Sequence, residues 1–105
     1  MIVYNVTVKV DLDIHEEWKH WMRQSHIQAL IETGCFTSCR MSKLLAQNED
    51  EGITYSLQYL SPSMKKFHQY QAQFAPALRK EHHEKFGEKA VSFRTMMEVV
   101  DEFHS

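Results

Sequence analysis

The first ten residues, MIVYNVTVKV, alternate so regularly that they define a strand with two unlike faces. Ile2, Tyr4, Val6, Val8 and Val10 point one way, and Val3, Asn5, Thr7 and Lys9 point the other. A strand with one wholly apolar face has to be covered by a second layer of structure. The alternation returns over Ile53 to Leu60, where Ile53, Tyr55, Leu57 and Tyr59 oppose Thr54, Ser56 and Gln58. It returns again over Lys89 to Val100. There the apolar series Val91, Phe93, Thr95, Met97 and Val99 is expected on the covered face, and Ser92, Arg94, Met96, Glu98 and Val100 on the other.

Helical patterns separate these strands. Asp11 or Asp13 is placed to cap a helix whose first turn carries Glu16 and Glu17, suiting the positive end of its dipole. The pattern continues to Glu32, and Gly34 stands where a helix stops. Another strand is expected from Phe36 to about Gln47, followed by a polar turn from Asn48 to Gly52. Ser61 or Ser63, flanking Pro62, opens a second helix that runs to Phe86 and ends at Gly87. Pro76 should kink or split it.

The order β-α-β-β-α-β predicts an α+β fold of ferredoxin-like type: one domain over residues 1–105, a four-stranded antiparallel sheet and two helices on one face. The other face mixes polar residues with Val, Leu and Met, so something should cover it, and a second copy is the simplest cover. Asn5, Thr7, Gln58, Arg94 and Glu98 are expected to form a polar network at that homodimer interface.

Several function classes are disfavoured. The net charge is −2 and the basic residues form no stripe, which argues against a nucleic-acid partner. No apolar run approaches the roughly 20 residues that span a bilayer, and no export signal is evident, so a cytoplasmic protein without membrane contact is expected. Cys35 and Cys39, if extended, stand roughly 13 Å apart. That is too far for a disulfide, so both should be free thiols. Glu81-His82-His83-Glu84 lacks the spacing of a helical metal site, and no metal or other cofactor is expected.

The segments YNVTV, W-x-x-W-M-x-x-x-H, ITYSLQY, FAPALRKEH and FRTMMEV, in that order, resemble a family of short bacterial proteins classed as a domain of unknown function. That family is similar to the dimeric α/β-barrel superfamily, in which two ferredoxin-like subunits pair their sheets. The resemblance implies the dimer and a range of chemistries: cofactor-independent oxygenation of aromatic compounds, haem degradation, isomerisation, or none. The haem-degrading pattern places an Asn on the first strand and a Trp and a His around the second helix. Asn5 and His82 match parts of it, but the second half of this chain has no tryptophan.

Two helical rows carry the candidate site. Ile14, Trp18, Met22, His26 and Leu30 recur at four-residue intervals with Trp21 beside them, and Phe74, Leu78, His82 and Phe86 form a matching row. With Tyr4, Tyr55 and Tyr59 facing them from the sheet, these residues outline an aromatic pocket for a small aromatic or hydrophobic molecule. His26 and His82 are its candidate general bases and Trp18, Trp21, Tyr4, Tyr55 and Tyr59 its candidate walls. Measured along two uninterrupted antiparallel helices, the histidines should lie roughly 16 Å apart and act separately. The competing expectation is a filled core of satisfied histidines and packed aromatics, in which the dimer itself is the working part of a structural or interaction protein.

Overall fold

The computed structural model describes residues 1–45 and 48–105. Strand β1 (Ile2–Val10) leads through a 3-10 turn (Leu12–Ile14) into α1 (His15–Trp21), a π-helical turn (Met22–His26) and α2 (Ile27–Glu32). The junction residues Met22, His26 and Ile27 keep right-handed helical dihedrals, so these three pieces form one rod. There follow β2 (Ser38–Lys43), β3 (Ile53–Ser61), α3 (Met64–Gln73), α4 (Ala75–Phe86), a second 3-10 turn (Gly87–Lys89) and β4 (Ala90–Glu98). The strands pair in the order β2-β3-β1-β4, every pair antiparallel. This is the ferredoxin-like arrangement. The molecule measures 37 × 37 × 20 Å, a slab two layers deep with one sheet face left uncovered.

Local signals account for most boundaries. Ser63 caps α3, its hydroxyl accepting from the Lys66 amide at 3.1 Å, while Ser61 is buried and donates to the Cys35 carbonyl at 2.8 Å. The second helix is split as Pro76 requires: Phe74 leaves helical dihedrals (φ −120°), and the proline occupies the first turn of α4, where its missing N–H costs nothing. Neither Asp11 nor Asp13 caps the first helix through its side chain. Asp13 pairs instead with Lys89, joining the two 3-10 turns. Strand β2 begins at Ser38 rather than Phe36, because Phe36 drops into the core against Tyr70 and Tyr59. The expected end of that strand at Gln47 lies outside the described residues. Cys35 is buried and Cys39 half-buried, both as free thiols.

Strand β4 departs from expectation. Its register places Ala90, Ser92, Arg94, Met96 and Glu98 opposite Val10, Val8, Val6, Tyr4 and Ile2. Those β1 residues face the helices, so Arg94 and Glu98 lie on the helix side, not on the open face with Asn5, Thr7 and Gln58. Val91, Phe93, Thr95 and Met97 take the open face instead. Side chains alternate with period two, so a one-residue error in parity reverses every assignment in a strand. The apolar residues of β4 gave the wrong parity because they belong to the uncovered surface. Asn5 and Thr7 do form a small polar chain on the open face. Ser56 donates to Asn5 Oδ1 at 2.6 Å, and the Asn5 amide donates to Thr7 at 3.1 Å.

The turn before β3 depends on Gly52. Its φ is +156°, and a Cβ there would lie 2.7 Å from the Val10 carbonyl oxygen, which is backbone and has nowhere to go. Gly52→Ala should therefore lower the stability by about 2 kcal/mol. A urea midpoint equal to wild type would show that this approach relaxes freely.

Candidate functional site

The covered face of the sheet is mostly filled. Tyr4, Phe36, Tyr59, Phe67 and Tyr70 pack as one aromatic cluster with centroid spacings from 4.8 to 6.4 Å. Toward β4 the filling stops. Ser92 is small, and a cavity remains between it, β1, the π turn and α4. Tyr4, Tyr59 and Tyr70 border it on one side, Met22, His26 and Leu30 above, and Arg79, His82, Ser92 and Arg94 on the other.

The π turn positions His26. At 3.6 residues per turn, each four-residue step along a helix over-rotates by about 40°, so a row from Trp18 to Leu30 would drift by about 120°. One wide turn takes up that drift. Trp18, Met22, His26 and Leu30 are consequently all buried. His26 is only 9% exposed, and its Nδ1 is buried without a hydrogen-bond partner. Trp21 stacks on its ring at a centroid distance of 4.8 Å. An unpartnered buried polar atom costs about 1–3 kcal/mol and calls for an explanation at the site where it stands.

His82 is held differently. The indole N–H of fully buried Trp18 donates to His82 Nε2 at 3.0 Å. That bond fixes Nε2 as an acceptor and leaves the proton of the neutral ring on Nδ1. The two histidine rings are 5.7 Å apart, which corrects the expected separation of roughly 16 Å. The split at Phe74 explains the difference. His82 lies near the middle of α4, as His26 lies near the middle of the first rod, and offsets from those centres sum to about 6 Å. Burial, His82 and the Arg94 guanidinium hold His26 down at about 4. Burial, Arg94 and His83 hold His82 down at about 4. Both are therefore neutral imidazoles at neutral pH.

The remaining expected wall residues separate into two groups. Tyr4 and Tyr59 border the cavity. Trp18 acts through its bond to His82, and Trp21 through stacking. Tyr55 does not reach the cavity; its hydroxyl lies 2.6 Å from His15 Nε2, and its ring packs on Trp18. Arg79, Ser92 and Arg94 were not anticipated as cavity residues. Arg79 stands three residues before His82 on the same helical face, a spacing that could have revealed it. Ser92 and Arg94 were hidden by the parity of β4. Burial raises the Tyr59 and Tyr70 phenols and pushes the Cys39 thiol up to about 11, so all three stay protonated at neutral pH.

The haem-degrading pattern is not assembled here. Asn5 is on the opposite face of the sheet from His82, engaged with Thr7 and Ser56. Among the described residues, no group of three or more His, Cys, Asp or Glu side chains is arranged to hold a metal ion. No described helix is long and apolar enough to cross a membrane.

A half-covered antiparallel sheet with a polar cavity under its helices places the chain in the ferredoxin-like class. Over residues 1–100 it matches the model of the domain of unknown function DUF4286, and it belongs to that family. No curated protein matches the sequence. A dimeric ferredoxin-like protein from an uncultured marine organism superposes with a TM-score of 0.70 at 13% identity, covering 97% of each chain. A variant of MhuD with two manganese protoporphyrin IX molecules bound per active site gives 0.67 at 15% identity, covering 100% of both chains. A candidate antibiotic biosynthesis monooxygenase from Deinococcus radiodurans gives 0.62 at 10% identity, covering 100% of this chain and 98% of the other. At these identities the likeness is one of fold.

The depressed histidines tie stability to pH. The unfolded chain protonates each imidazole near 6.5, whereas the folded chain resists until about 4. Their contribution is thus complete above pH 6.5 and is lost as the pH falls toward 4, where the unfolded state binds more protons. Replacing both by glutamine should flatten the stability profile across that window by on the order of 2 kcal/mol per histidine. Urea denaturation at pH 7 and pH 4.5 gives the comparison; equal slopes in wild type and variant would assign the acid sensitivity to other groups.

Proposed function

We propose that the protein is a homodimer that binds a small molecule with an aromatic or hydrophobic body at the cavity between sheet and helices, beside His26 and His82. The observation that carries this reading is the buried, unpartnered His26 Nδ1 in the cavity wall. A core histidine kept only for packing is expected to have found a partner. The chemistry that suits two neutral imidazoles is proton transfer at an acidic C–H or O–H. Isomerisation needs nothing more than a proton taken and returned. Oxygenation without a cofactor would additionally consume dioxygen.

The dimer is supported by the surface of β4. Val91 and Phe93 are 62% and 63% exposed and Met97 is 42% exposed, all on the uncovered face, with Met97 beside Val3 and Leu60. Large apolar side chains exposed on a sheet face fit a self-complementary contact. The marine protein of the same fold is described as dimeric. The alternative, an interaction dimer without a ligand, draws on the dense packing of the five-ring cluster.

Native mass spectrometry of freshly purified protein tests both parts. A dimer carrying a reproducible small adduct that disappears in folded His26→Ala is the expected result. Phe93→Lys should convert the dimer to monomer. A dimer without adduct would leave the interaction reading, and a monomer at high micromolar concentration would remove the assembly.

A further inference from the structure

We infer that the ligand of this cavity is an organic monocarboxylate whose acidic head is held between Arg79, Arg94 and His82, with its body lying in the groove along β4. This rests on the reading of the cavity as a binding site and adds the ligand's chemical class. The inner cavity is bordered by Arg79, Arg94, His26 and His82 and by no Asp or Glu. Neither arginine takes part in an ion pair among the described residues. Among the described residues Arg79 donates one side-chain bond, to the Tyr4 hydroxyl at 3.3 Å, and Arg94 donates none. A guanidinium carries five N–H donors in a planar fork that matches a carboxylate, so most of this donor capacity is unspent. Both guanidiniums border the cavity and are exposed to solvent, so an incoming anion can reach them.

The shape divides the ligand. Space open to the centre of a water molecule is about 30 Å³ in the inner cavity, enough for a small head group. The adjoining groove shares Arg79, His82, Ser92 and Arg94 and offers about 350 Å³ in the same measure. Ala90 and Val91 give its far part apolar surface, and Glu88 also borders it. An acidic residue in the outer groove disfavours a second negative charge on the ligand, which selects a monocarboxylate over a dicarboxylate.

The test uses the full chain, isotopically labelled, and three probes: 4-hydroxybenzoate, its neutral analogue 4-hydroxybenzamide, and inorganic phosphate. NMR follows the Trp18 indole N–H and the histidine ring signals. The acid should bind about tenfold or more tightly than either the amide or phosphate, and Arg79→Gln and Arg94→Gln should each weaken it by about tenfold. Unchanged urea midpoints would show that both variants fold. Equal binding of acid and amide would overturn the anionic head while leaving the cavity as a site. Phosphate binding as tightly as the acid would overturn the carboxylate class. Loss of neither arginine weakening the acid, or no binding by any probe, would also overturn the inference. The cavity reading itself falls only if the purified protein also carries no adduct.

Discussion

The nine-residue pairing of β1 with both β3 and β4 is the constraint on which the rest of the molecule depends. Every residue of β1 has a fixed partner on each side, from Ile2 with Ser61 and Glu98 to Val10 with Ile53 and Ala90. Because side chains alternate strictly, this register decides at once what each neighbouring strand presents to the helices. It brings Arg94 beside Val6 and Ser92 beside Val8 under the helix layer, and it turns Phe93 outward beside Thr7. The cavity and the apolar open face are two consequences of one register.

The helix layer is fixed over this sheet by a second, more local device. The π turn keeps Trp18, Met22, His26 and Leu30 on one buried face, and Trp18 then reaches across to α4 through His82. That single bond joins the two helical segments and chooses the histidine's tautomer, while burial and Arg94 keep the ring neutral. Trp21, His26, His82 and Phe86 pack around the junction with centroid distances between 4.8 and 5.9 Å. Structural and chemical roles are therefore not separable for these rings: the packing that orders the imidazoles also removes the water that would charge them.

The inverted character of β4 links the cavity to the open face of the sheet. An edge strand that put its apolar side chains under the helices would close the cavity and leave a polar outer surface. Here Val91, Phe93 and Met97 lie outward on the open face, and Ala90, Ser92 and Arg94 lie on the helix side with Met96 and Glu98. Arg94 thus borders the cavity, while Asn5, Thr7 and Ser56 form a polar chain on the open face.

By itself the sequence determined the elements and their order. The alternation of β1 and β3, the Ser63 cap, the break required by Pro76 and the stops at Gly34 and Gly87 are local preferences of backbone and burial, legible without any long-range contact. His26 and His82 were likewise legible as members of buried helical rows. Tertiary structure decided their relation. Only the break at Phe74 brings the two rings to 5.7 Å, and only the β1–β4 register places Arg94 beside them. Strand parity is ambiguous wherever both faces of a strand carry apolar residues. In β4 the apolar alternation lies on the open face, so the residues that complete the cavity became visible only when the strands were paired.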